Sequence, residues 1–281
     1  MFKLKKWALI ASLGLLASGV INAAPAVNVT AHFSDQVNAV RNDPKWLTGE
    51  MAIGQSFIPD GDTVSFLSAN IFPAEKRQER VVKTGEKGKN LQITLKELQD
   101  GNPGNTIATR SDREAGVKVG ALNLYRIDAP VTPGKSYLLE FRLDAPGAGD
   151  YYFWYQYGGN HYLKGDFYMN GQRRGGCDLD FAVYRPVEIT PNAAIAAPRP
   201  PEILEIRFQE KPDRTRTTIF LSGPDGIARY VPVWSDDRTV LLGPLKLPVR
   251  PGQTREYRVH INTDGGQSPS VVIPFTLHEK N

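Results

Sequence analysis

The chain has 281 residues, with 34 Lys and Arg against 30 Asp and Glu, a formal net charge of +4. Aromatic residues make up 10% and charged residues 23%, a balance that excludes a disordered polyelectrolyte. One long apolar run and one cysteine exclude a polytopic membrane protein, a disulfide-stapled scaffold and a multi-thiolate zinc site.

The apolar run comes first. Lys3, Lys5 and Lys6 precede the stretch Trp7 to Ile21, and Ala23 and Ala24 place small residues before Pro25. Residues 1–23 are therefore expected to be a signal peptide cleaved after Ala23, with Ala24 as the near alternative. The run is shorter than the ~20 apolar residues of a spanning helix. Cleavage leaves 31 basic against 30 acidic residues, a charge of +1, so bulk charge gives nucleic-acid binding no support. No cysteine follows the run to take a lipid. The expected product is exported, periplasmic or extracellular, with no membrane span after cleavage.

Beyond the leader, Ser34 to Arg41 predicts a short helix capped by Ser34 and stopped at Asp43-Pro44. The pattern then turns to period two. Leu91–Leu95, Leu122–Ile127 and Tyr137–Leu143 alternate apolar and polar residues, and Cys177–Tyr184 reads as one strand entering a sheet. Turn signals separate them, among them Pro59-Asp-Gly-Asp62, Asp100-Gly-Asn-Pro-Gly-Asn105 and Thr132-Pro-Gly-Lys135. Many short strands with frequent turns predict an all-β sandwich or barrel. Cys177 is expected to be a small buried apolar residue.

Residues 188–201 change character. Pro191, Pro198, Pro200 and Pro201 flank Ala193-Ala-Ile-Ala-Ala197, which predicts a semi-extended linker. Strand signals resume from Glu202 to Leu277, with turns at Gly223-Pro-Asp-Gly226 and Asp264-Gly-Gly266. The expected organisation is a signal peptide over 1–23, a sandwich over 24–187, the linker over 188–201 and a smaller sandwich over 202–281.

The order of Gly54-Gln-Ser-Phe-Ile58, Asn70-Ile-Phe72, Leu91–Leu95, Gly101–Thr106, Val131–Leu139, Trp154, Gly158–Gly165 and Asp178–Tyr184 resembles the jelly-roll β-sandwich domains of bacterial secreted and cell-surface proteins. Those domains are similar to carbohydrate-binding modules. The resemblance covers about residues 50–186 and implies a lectin-like first unit. The second unit resembles an immunoglobulin-like or fibronectin type III sandwich by strand number and spacing.

Nine aromatic residues lie between Tyr151 and Tyr168. On a strand, Tyr151, Phe153, Tyr155 and Tyr157 face one way, and Tyr152, Trp154 and Gln156 the other. Both rows are core, or one is displayed. Displayed rings stack on the C–H face of a sugar, while nearby amides and guanidinium groups bond its hydroxyls. The candidate ligand-binding set is Tyr152, Trp154, Tyr157, Asn160, Tyr162 and Arg173, with Lys164, Asp166, Asn170 and Gln172 close in sequence.

No metalloprotease, nucleophile-elbow, phosphate-loop or Cys-x-x-Cys motif is present, and His32, His161, His260 and His278 are widely spaced. Asp178 and Asp180 are expected to share one solvated strand face, so they do not flank a bond from opposite sides as a glycosidase pair must, and a structural calcium stays open because two acids are too few to claim it. No catalytic residue, metal or cofactor is expected. The function expected from the sequence is non-catalytic binding of a glycan or polysaccharide. The alternative is an envelope structural, adhesion or assembly protein working through protein contacts.

Overall fold

The computed structural model describes residues 26–36, 43–49, 51–77, 80–83, 91–143, 150–157, 162–197, 199–248, 250, 252–263, 265 and 270–279. The expected signal peptide lies outside these residues. In chain order the elements begin with β1 (Val27–Gln36), β2 (Asp43–Leu47), β3 (Ala52–Phe57), β4 (Thr63–Ala69), β5 (Ile71–Arg77), β6 (Arg80–Lys83), β7 (Leu91–Gln99) and β8 (Asn102–Ser111). A one-turn helix, α1 (Asp112–Ala115), leads to β9 (Gly116–Val119), β10 (Leu122–Pro130), β11 (Tyr137–Leu143) and β12 (Asp150–Tyr157). Short strands β13 (Phe167–Met169), β14 (Gln172–Arg174) and β15 (Cys177–Leu179) precede β16 (Phe181–Ile189). The chain continues through β17 (Ala193–Ala197), β18 (Ile203–Phe208), β19 (Thr218–Gly223) and β20 (Gly226–Arg229). It closes with β21 (Val233–Trp234), β22 (Thr239–Leu242), β23 (Thr254–Asn262) and β24 (Val271–Glu279). The fold is the all-β sandwich that the period-two pattern predicts. Among the described residues no helix is long and apolar enough to cross a membrane.

Local chemistry accounts for the hairpins. Asp100-Gly101 joins β7 to β8 with both φ positive (50° and 78°), and Asn170-Gly171 joins β13 to β14 in the same way (51° and 75°). Two-residue loops of this kind match the twist of the strands they connect and call for Gly at the second position.

The strand order of the largest sheet is β21-β22-β18-β1-β16-β4-β10-β9. Its centre is β1, which pairs antiparallel with β16 on one edge (Val29 opposite Ile189) and with β18 on the other (Val29 opposite Ile206). One sheet thus runs through both predicted units. A second sheet, β14-β13-β3-β11-β7-β8, and a third built around β12 with β15, β5, β6 and β2, pack over one half of it. Ile53, Ile93 and Phe141 meet Leu67, Tyr125 and Val183 in that core. The fourth sheet, β17-β24-β23-β19-β20, packs over the other half, where Ala31, Leu204 and Val240 meet Leu221, Val259 and Phe275. Each fully buried Leu, Ile or Phe contributes about 1.5–3 kcal/mol of transfer free energy.

Three local readings differ from the structure. Ser34, Asp35 and Gln36 are not the start of a helix. They extend β1 against Tyr184, Val183 and Ala182, since ladder bonds to β16 outweigh a weak local helix preference; residues 37–42 lie outside the described residues. The stretch 188–201 contains the end of β16 and the strand β17, which runs parallel to β24. Ile195 and Ala197 are buried while Ala194 and Ala196 are exposed, so the alanine run is an alternating edge strand, and Pro191, Pro200 and Pro201 stand outside it. Finally, Cys177–Tyr184 is two strands. The chain bends at Asp180, and β15 pairs with β12 whereas β16 enters the large sheet. The neighbouring strands β4 and β5 change sheets at Asn70, whose N–H donates to the Asp180 carbonyl (3.0 Å) and whose amide donates to Oδ2 of the Asp180 side chain (3.1 Å).

That bend overturns the shared solvated face of Asp178 and Asp180. Asp178 is 0% exposed and accepts from Gln55 Nε2 (3.1 Å) and from the Tyr162 N–H (3.1 Å). Gln55 in turn accepts from the Leu179 N–H at 2.8 Å. A buried carboxylate needs such donors, and here they tie β3, the 162–166 loop and β15 together. Cys177 is buried, as expected, and burial first and Asp178 second push its thiol pKa up.

Candidate functional site

The inward row of β16 reads Phe181, Val183, Arg185, Val187, Ile189. Phe181 and Val183 belong to the first core, Ile189 to the second, and Val187 packs against the second. Arg185 stands where the row passes from one core to the other. A cavity of about 320 Å³ opens at this junction. Its apolar wall is Phe33 from the second core with Phe57, Val64 and Val183 from the first. Its polar rim includes Asp60, Thr63, Lys164, Arg185 and Arg199.

The Asp60 loop, Lys164 and Arg185 are held in place. The 58–62 loop is pinned where the Val131 N–H donates to the Asp62 carbonyl (2.8 Å) and the Gly134 N–H donates to the Pro59 carbonyl (3.3 Å). Gly61 leaves room for the Arg185 stem: a Cβ there would lie 3.3 Å from Arg185 Cβ and Cδ. The Arg185 guanidinium lies 5.1 Å from the centroid of the Phe33 ring, a cation–π placement. Lys164 Nζ lies 3.2 Å from Asp60 Oδ1. The Lys164 loop is fixed by the Asp166 N–H donating to Ser56 Oγ (2.7 Å) and the Ser56 N–H donating to the Asp166 carbonyl (2.9 Å). Ser34 is committed elsewhere, since its hydroxyl donates to Glu202, which also accepts from the Tyr184 hydroxyl (3.1 Å).

The residues predicted from sequence fall differently. Tyr162 is buried, with its ring edge-on to Phe181 at 5.6 Å, so it is not on display. Arg173 is exposed and pairs with Asp166, Nε to Oδ2 at 2.9 Å. Tyr152, Trp154 and Tyr157 lie on β12, opposite Trp46 and Phe72, Pro44, and Cys177 respectively in the strand register. Their side chains, and Asn160 altogether, lie outside the described residues. Tyr151 and Phe153 of the same strand are in the first core. Lys164, noted beside the aromatic segment, does reach the cleft, whereas Phe33, Asp60, Arg185 and Arg199 were missed. The available signal was Arg185, a charge on the inward side of an otherwise apolar alternating row.

A second polar cluster lies on the reverse face of the large sheet. His32 Nδ1 is 2.8 Å from Ser65 Oγ, and Ser65 donates to the Tyr184 carbonyl at 3.0 Å. His32 Nε2 lies 3.2 Å from Glu205 Oε2, within ion-pair distance but off the direction of a straight hydrogen bond. Arg126 Nη2 reaches the same oxygen at 2.9 Å, and its guanidinium sits over Phe66 at 4.5 Å. Burial alone would raise the Glu205 pKa; the His32 contact and the Arg126 charge reverse this and hold the carboxyl down to about 2. The Ser–His–Glu composition imitates a nucleophilic relay, but Ser65 is 3% exposed and gives its proton to a main-chain oxygen. The cluster joins β1, β4, β10 and β18. Among the described residues no group of three or more His, Cys, Asp or Glu is placed to hold a metal.

No protein-family description matches the chain, and no curated protein matches it. Among solved structures, a DUF4785 family protein from Legionella pneumophila is similar at 12% identity and a TM-score of 0.22. The match covers 89% of this chain and 65% of that one, so the chain spans less than two thirds of its length.

Proposed function

We propose that the chain is an exported, non-catalytic binding protein that recognises a carbohydrate in the cleft between the two cores. In this reading the jelly-roll-like part, 24–187, supplies the cleft together with Arg199 of the 188–201 stretch, and the immunoglobulin-like or fibronectin type III-like part, 202–281, is a spacer or docking unit. The observation that carries it is the cleft's composition: an apolar wall of Phe33, Phe57, Val64 and Val183 facing hydroxyl, carboxylate and guanidinium groups. A sugar ring presents the complementary pair of surfaces, C–H faces and hydroxyls. The volume suits one or two rings, at the small end of ligand pockets, which are ~300–1,000 Å³.

The test is a glycan array probed with wild type, Asp60→Asn and Trp154→Ala. Binding weakened by Asp60→Asn and kept by Trp154→Ala supports the cleft. Binding lost only with Trp154→Ala moves the site to β12. No glycan bound by wild type overturns the carbohydrate reading. The protein-contact alternative draws support from the edge strand β20 and the loop after it, where Ile227 is 64% and Val231 82% exposed. A partner copurified without sugar dependence would favour it.

A further inference from the structure

We infer that the ligand of the cleft carries a carboxylate, held by Arg185 and Arg199. The inference rests on the reading of the cleft as a binding site, but not on the ligand being a sugar. Four charged groups face the cavity: Asp60, Lys164, Arg185 and Arg199. Asp60 and Lys164 neutralise one another at 3.2 Å. Among the described residues no carboxylate pairs with Arg185 or Arg199. Two positive charges are therefore left over at the mouth of a partly apolar cavity, where a low local dielectric strengthens their pull on an anion.

Arg185 is also preorganised. Its stem rests against Gly61 and its guanidinium over Phe33, so little side-chain freedom is lost when a ligand arrives. A planar guanidinium fork matches a carboxylate better than a point charge does. The apolar wall then requires a ring or aliphatic body behind the charged group. With the carbohydrate reading, the ligand class is a uronic acid within a glycan.

The test is calorimetric titration of the mature chain with three probes: digalacturonate, neutral digalactose and benzoate, each at low and at high salt. Digalacturonate is expected to bind about tenfold or more tightly than digalactose, as a charge-assisted hydrogen bond allows, and to weaken with salt. Arg199→Gln, on an exposed side chain whose loss does not threaten folding, should remove most of that preference, and Arg185→Lys should reduce it. Equal binding of digalacturonate and digalactose, or a preference untouched in both variants, overturns the inference and leaves the carbohydrate reading standing. Benzoate binding as well as digalacturonate supports the inference and removes the carbohydrate reading. Failure of all three probes overturns the inference, and the glycan array then decides the carbohydrate reading separately.

Discussion

Replacing Glu205 by Gln removes the carboxylate that His32 and Arg126 share on the reverse face of the large sheet. In the folded protein its pKa is lowered from 4.5 to about 2. Every tenfold change in proton affinity on folding is worth ~1.4 kcal/mol, so the ionised carboxylate contributes about 3 kcal/mol of stability at neutral pH. The folded value is the depressed one, so this contribution is complete above pH 4.5 and is lost as pH falls through 4.5 towards 2. Glu205→Gln should therefore be destabilised at pH 7 by roughly 3–5 kcal/mol, the usual cost of breaking a buried pair from one side. The gap between wild type and variant should narrow by about 3 kcal/mol between pH 5 and pH 2. Urea unfolding followed by far-UV circular dichroism across that range measures both quantities. Because β1 is bonded to β16 and to β18, wild type should unfold in one transition. A gap that stays constant from pH 5 to pH 2, or a variant as stable as wild type at pH 7, refutes the reasoning.

Other consequences can be checked in the same material. Phe141 is 0% exposed in the first core, and Phe141→Ala should cost roughly 3–5 kcal/mol in urea unfolding; a loss under ~1 kcal/mol would mean that the site collapses freely. A Cβ on Gly165 would stand 1.9 Å from the Ser56 carbonyl oxygen, so Gly165→Ala must shift the Lys164 loop. It should destabilise by about 1–3 kcal/mol and weaken cleft binding, and an unchanged melting temperature would contradict the contact. The Cys177 thiol is buried and its pKa is raised, so a disulfide reagent at pH 8 should label it at least ~10-fold more slowly in the folded than in the urea-unfolded chain. Equal labelling rates would place the thiol at the surface.

The amino-acid order alone determined the local elements. Alternation within Leu91–Leu95 and Tyr137–Leu143 placed β7 and β11, because a pleated strand puts successive side chains on opposite faces whatever it pairs with. Within the turn signal Asp100–Asn105, the Asp100-Gly101 step was legible for the same reason, since its backbone demand is met by its own residues, but Asn102–Asn105 are the start of β8, which pairs with β7. Tertiary structure alone decided which strands became neighbours. The pairing of β1 with both β16 and β18 made Ser34–Gln36 a strand and fused two predicted units through one sheet. The bend at Asp180 follows from its bonds to Asn70, 110 residues away, and it sent Asp178 into the interior. The cleft depends on the same long-range pairing. Its Phe33, Asp60, Lys164, Arg185 and Arg199 are scattered along the chain, and no local period links them. Lys164 was noted only for its place beside the aromatic segment, and the out-of-pattern Arg185 was the signal left unused, because alternation predicts an apolar residue wherever a strand faces a core, and a charge there needs a cavity to face.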